Sequence, residues 1–101
     1  MTNKVYRARV SVEAAIMIKT HVEFLSNVSI SAARTLYDDF YKRFKKIEKT
    51  PFMYPVYTEV SGVRYRKLGF KNYLILYTIN EKARIVEIEY VWDARMKNKI
   101  Q

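Results

Sequence analysis

Polar and apolar residues alternate over "KVYRARV", residues 4–10: Val5, Arg7 and Arg9 fall on one side, Tyr6, Ala8 and Val10 on the other. That period of two predicts a half-buried strand. The period then changes. Ser11 suits a helix N-cap with Glu13 in the first turn, and apolar residues recur at 14, 15, 18, 22 and 25, three or four apart, as on one face of a helix. "NVSIS" interrupts the pattern, and Ser29 or Ser31 can cap a second helix running to about Lys49. Its stripe is Leu36, Phe40, Phe44 and Ile47, flanked by Ala33, Tyr37 and Tyr41. Two amphipathic helices with so short a break form an antiparallel hairpin. Pro51 and Pro55 in "TPFMYP" end the second one, because proline lacks the N–H a helix interior needs.

After a loop containing Ser61 and Gly62, three strand-like runs follow, at about 63–68, 72–80 and 84–92, joined by connectors short enough for hairpins. "YLILYTI", 73–79, is apolar on both parities, as a central strand covered on both faces would be. In the last run Val86, Ile88, Tyr90 and Trp92 share one parity and Glu87 and Glu89 the other, so the first set is expected under the helices. The expected architecture is α+β: a strand, a helical hairpin, then a three-stranded antiparallel meander with the helices on one sheet face.

At 101 residues, half of them hydrophobic, with two Gly and two Pro, the chain reads as one domain spanning 1–101. It has no cysteine, which excludes disulfides, thiolate metal sites and a cysteine nucleophile. The N-terminus shows no signal-peptide pattern and no run of about 18 apolar residues occurs, so a cytoplasmic protein with no membrane association is expected. Charge changes the picture more. The net charge is +9. Between Lys42 and Lys71 lie nine cations and only two anions, Glu48 and Glu59. Such clustering is the footprint of a polyanionic partner, with Lys45, Lys46, Lys67 and Lys71 as candidate nucleic-acid contacts.

Familiar catalytic constellations are sparse. His21, the sole histidine, lies mid-helix and reads as a packing or surface residue. No His or Cys/His spacing suggests a metal, and no phosphate loop or base-activated serine is present; neither cofactor nor metal is expected. Asp38–Asp39 reads as a solvated helix face, and Glu87 and Glu89 as exposed strand residues. In "VRYRKLGF", 63–70, Arg64 and Arg66 share a parity. On an open sheet face they would form a ridge about 7 Å apart, the two-residue repeat of a strand, and arginine grips phosphate oxygens with a forked geometry. Leu68 and Phe70 share that parity, so this reading needs the pattern to shift near Lys67–Gly69.

"YRKLGFKNYLILYTINEKARIVEIEYVWDAR", 65–95, resembles the RelE/ParE superfamily of toxins from bacterial type II toxin–antitoxin modules: a basic strand, a Tyr-apolar-apolar-Tyr strand (here Tyr73 to Tyr77), then an apolar strand followed by an arginine. The upstream hairpin and "PFMYP" are similar to the family too, so the resemblance covers nearly the whole chain. It implies a β-α-α-β-β-β fold and a toxin–antitoxin hetero-oligomer with an acidic antitoxin, docking at the hairpin groove around Leu36, Phe40 and Phe44 and at the sheet cleft. For activity it implies two branches. RelE-like members cut mRNA on the ribosome without metal, with cations stabilising the phosphorane; Arg64, Arg66 and Arg95 match those positions here. ParE-like members bind DNA gyrase and lack the cutting residues. Two departures weaken the nuclease branch: Leu74 stands where RelE carries an arginine, and "MKNKIQ" lacks a terminal tyrosine or histidine. Tyr90 and Trp92 are expected on the core face and so are poor substitutes. The resemblance is carried here to a ribosome-dependent mRNA endonuclease that arrests translation, with gyrase inhibition or a non-catalytic basic nucleic-acid-binding module as alternatives.

Overall fold

The computed structural model describes residues 5–95. Strand β1 (Arg7–Val10) leads into helices α1 (Val12–Ser26) and α2 (Ile30–Lys49), followed by β2 (Val56–Val60), β3 (Val63–Phe70), β4 (Tyr73–Asn80) and β5 (Ile85–Asp93). Both helices start where a serine hydroxyl accepts an otherwise orphaned N–H: Ser11 from Ala14 at 3.0 Å, Ser29 from Ala32 at 3.0 Å. Lys46 and Lys49 occupy the last turn of α2, where cations complement the helix dipole.

The sheet has five strands in the order β1-β5-β4-β3-β2; β2 to β5 form an antiparallel meander and β1 runs parallel to β5. The two-helix α+β plan is as expected, with one strand more. β2 was expected to be loop. It lacks the period-two signal because all its residues but Tyr57 are exposed. Ser61 and Gly62, with φ of 51° and 81°, make the two-residue left-handed turn that joins it to β3.

The core lies between the hairpin and one sheet face. Ala14, Ile18, Leu36, Phe40, Phe44 and Ile47 meet Ile75, Tyr77, Val86, Ile88 and Val91, all buried. Removing each large side chain of this set from water stabilises the fold by about 1.5–3 kcal/mol. β4 is the middle strand, as its two-sided apolar pattern predicts.

β5 departs from its expected facing. Leu76 pairs with Tyr90 but Tyr77 with Ile88, so Glu89 is an extra residue in the strand. This β-bulge reverses the alternation. Val86, Ile88 and then Val91 point to the core, whereas Tyr90 and Trp92 turn to the face away from the helices.

Beyond the end of β1, side chains of α1 and its cap satisfy the outer edge of β5. Ser11 Oγ donates to Glu89 O at 2.9 Å, Met17 Sδ accepts from Val91 N at 3.4 Å, and His21 Nε2 donates to Val91 O at 2.8 Å. The lone histidine is therefore a packing residue with a backbone partner. On the far side, Glu48 Oε2 accepts the Ala8 N–H at 2.7 Å, closing part of the β1 edge.

Candidate functional site

β3 keeps an unbroken register with β4: Arg66 opposite Tyr77, Leu68 opposite Ile75, Phe70 opposite Tyr73. The shift that would have turned the arginines outward does not occur there. Arg66 consequently shares the face of Leu68 and Phe70, on the helix side of the sheet. Its Nη1 donates to Tyr54 O at 2.6 Å and to Phe52 O at 3.3 Å, and its guanidinium lies 5.4 Å from the Phe52 ring. Beside it the buried Tyr77 hydroxyl donates to Pro51 O at 2.6 Å. Burial pushes the Tyr77 phenol far above its ordinary value, against the opposing charge of Arg66, so it stays a neutral donor. Together these groups tether residues 51–54, the strap between α2 and β2. Arg64, two residues earlier, is exposed and pairs with Glu59 at 3.4 Å. The two arginines, Phe52, Glu59 and Glu81 border a hollow of about 460 Å³.

Arg95 lies elsewhere. It makes a forked pair with Asp93, Nε to Oδ1 at 2.9 Å and Nη2 to Oδ2 at 2.7 Å, and its backbone N–H adds a third bond to Oδ1 at 2.9 Å. Hydrogen bonds from Arg95 hold the Asp93 carboxyl at about 2, below its ordinary 3.8, although burial opposes this. The pair sits at the mouth of an apolar groove of about 400 Å³ lined chiefly by Met17, Phe24, Tyr73, Val91 and Trp92, with the His21 ring tilted by 51° against that of Tyr73, centroids 4.9 Å apart. Asp93 faces Tyr73 and Arg66 faces Tyr77. Four residues of β4, about 13 Å at ~3.3 Å per residue, separate those positions, and Arg95 lies farther still along the chain. The three arginines expected to converge on one phosphate are thus divided between two sites, each engaged by acceptors of the protein itself.

The candidate lysines are divided too. Lys45 and Lys46 are exposed on α2. Lys67 points to the open sheet face, 5.5 Å from the Tyr57 ring, and Lys71 reaches Asp39 on the helix side at 3.7 Å. Leu36, Phe40 and Phe44, expected as an antitoxin-docking groove, are 3%, 0% and 3% exposed. Their stripe is consumed by the core and offers no surface to a partner. Among the described residues no group of three His, Cys, Asp or Glu side chains is placed to hold a metal ion, and no helix is long and apolar enough to cross a membrane.

The open face carries what parity alone misplaced. Tyr65, Tyr90 and Trp92 stack in a row, centroids 6.5 Å and 5.5 Å apart with interplanar angles of 30° and 24°. Leu76, opposite Tyr90 on the same face, is only 2% exposed. Thr78 Oγ1 donates to the bulged Glu89 at 3.0 Å, and Arg9 pairs with Glu87. Burial, then the nearby Glu89 charge, raises the Tyr65 phenol. The signal available in the sequence was "YVW", 90–92, which has no polar member where strict alternation requires one.

A family model described as "ParE toxin of type II toxin-antitoxin system, parDE" matches residues 9–98. Among solved structures, one described as the chromosomal ParDE TA system from P. aeruginosa superposes with a TM-score of 0.69 at 13% identity, covering 88% of this chain and 96% of that chain. At that identity the likeness concerns the fold. No curated protein matches the chain.

Proposed function

Because the chain belongs to the ParE toxin family of type II toxin–antitoxin systems, we propose that it arrests growth by binding a protein target, DNA gyrase, and not by cutting mRNA. The observation that carries this reading is the state of the three candidate catalytic arginines. Stabilising a phosphorane requires preorganised donors aimed at one point. Here Arg64 answers Glu59, Arg66 answers the Phe52 and Tyr54 carbonyls, and Arg95 answers Asp93. A binding role is supported by the outer row of α1 and the hairpin turn. Val12, Ile16, Phe24 and Val28 recur with Thr20 at four-residue spacing and are 72%, 58%, 73% and 78% exposed, an apolar row of the kind that marks a protein contact. Antitoxin pairing follows from the family; an acidic antitoxin suits a chain of net charge +9.

The test sets two assays side by side on toxin freed of antitoxin. A supercoiling assay with purified gyrase should show inhibition at concentrations that leave cell-free translation and the 5′ ends of its mRNA unchanged. Codon-dependent mRNA cleavage with gyrase unaffected would overturn the reading in favour of the ribosome-dependent nuclease.

A further inference from the structure

Half of the cations of the described residues are committed. Ion pairs take Arg9, Lys19, Arg64, Lys71 and Arg95, Arg66 is tied to carbonyl oxygens, and Arg43 and Lys67 lie over aromatic rings. The charge left over collects on α2. Lys42, Lys45 and Lys49 recur three and four residues apart on the side opposite the buried Phe40 and Ile47, and all three are exposed. Arg34 and Lys46 flank them, also exposed. Of the acids on this helix, Glu48 is bound to the Ala8 N–H and Asp39 to Lys71, which leaves Asp38 to interrupt the row. From Arg34 to Lys49 the row spans about 22 Å at ~1.5 Å per residue.

We propose that this outer face of α2 docks on the phosphate backbone of duplex DNA, without base specificity. The surface is a cationic helix face with no apolar side chain on its outermost line, Ser31, Asp38, Lys42, Lys45 and Lys49, and with the exposed Tyr37 and Tyr41 at its margin. A protein partner needs a water-excluding apolar centre to its contact, which this line lacks. Phosphate contacts need none: hydrated lysines displace counterions and bind through charge alone. The inference does not depend on the gyrase reading, which concerns the apolar row of α1.

Fluorescence anisotropy of a labelled 20-bp DNA duplex with the full chain, titrated with salt, tests it. Each phosphate neutralised contributes about 0.9 to the slope of log K against log salt. The triple variant Lys42→Gln/Lys45→Gln/Lys49→Gln should lower the slope by about 2–3, with its circular dichroism unchanged. A charge-matched control, Arg7→Gln/Lys82→Gln/Arg84→Gln, removes exposed cations off α2 and should keep most of the slope. Equal losses in both variants would mean that net charge alone attracts DNA, and would overturn the proposal. So would an unchanged α2 variant, a wild-type chain that fails to bind duplex DNA, or tighter binding to a matched RNA duplex. Gyrase inhibition by the same variants is read separately, so the two proposals fail independently.

Discussion

Replacing Arg66 by alanine separates a structural arginine from a catalytic one. The guanidinium supplies one short charged hydrogen bond, to Tyr54 O at 2.6 Å, and one weaker contact, to Phe52 O at 3.3 Å. Charge-assisted hydrogen bonds contribute about 1.5–3 kcal/mol each when well made, and the cation over the Phe52 ring about 0.5–1 kcal/mol. Arg66 is only half-buried, so water recovers part of the loss at both carbonyls, and about 2 kcal/mol remains as the expected destabilisation. For a domain of this size that lowers Tm by about 8–16 °C. Urea unfolding followed by circular dichroism should show an earlier midpoint with an unchanged m-value. Arg66→Lys keeps the charge but not the fork, and should fall in between. Tyr77→Phe removes the neighbouring tether on Pro51 O, so the double variant should lose at least about 0.5 kcal/mol less than the two single losses combined. Growth arrest by Arg66→Ala should fall only as far as folded protein is lost. Wild-type stability combined with abolished toxicity would refute this account and return the residue to a substrate.

Two further outcomes are expected. Asp93 is held at about 2 against an ordinary 3.8. A depressed carboxylate contributes stability fully present above its unfolded value and lost as pH falls through its folded one. Thermal melts should therefore decline between about pH 4 and pH 2 more steeply for the wild type than for Asp93→Asn; parallel curves would show that the fork with Arg95 does not persist in solution. Phe40 is fully buried between the hairpin and the sheet, its ring 5.7 Å from Phe70 and 5.1 Å from Tyr73. Phe40→Ala should cost about 3–5 kcal/mol without any partner present, measured as the loss in urea midpoint, whereas Tyr41→Ala, one position round the helix and 37% exposed, should cost far less.

The amino-acid sequence by itself determined the elements that local chemistry dictates. Ser11 and Ser29 cap helices because their hydroxyls satisfy free N–H groups, Pro51 stops α2, and the stripe through Leu36, Phe40, Phe44 and Ile47 can only face a core. The doubly apolar "YLILYTI" likewise marks the middle strand. Tertiary structure decided which way the chemistry points. A strand's alternation holds only until a residue is inserted, and where a bulge falls depends on the partner strand. The parity of Tyr90 and Trp92 was therefore invisible until Glu89 met the gap between Leu76 and Tyr77. The same long-range pairing turned Arg66 inward to the Phe52 and Tyr54 carbonyls and left Arg95 at the far end of the sheet. Charge could be counted along the chain, but which cations stay uncommitted, chiefly those on α2, depended on which acids the fold had brought beside the others.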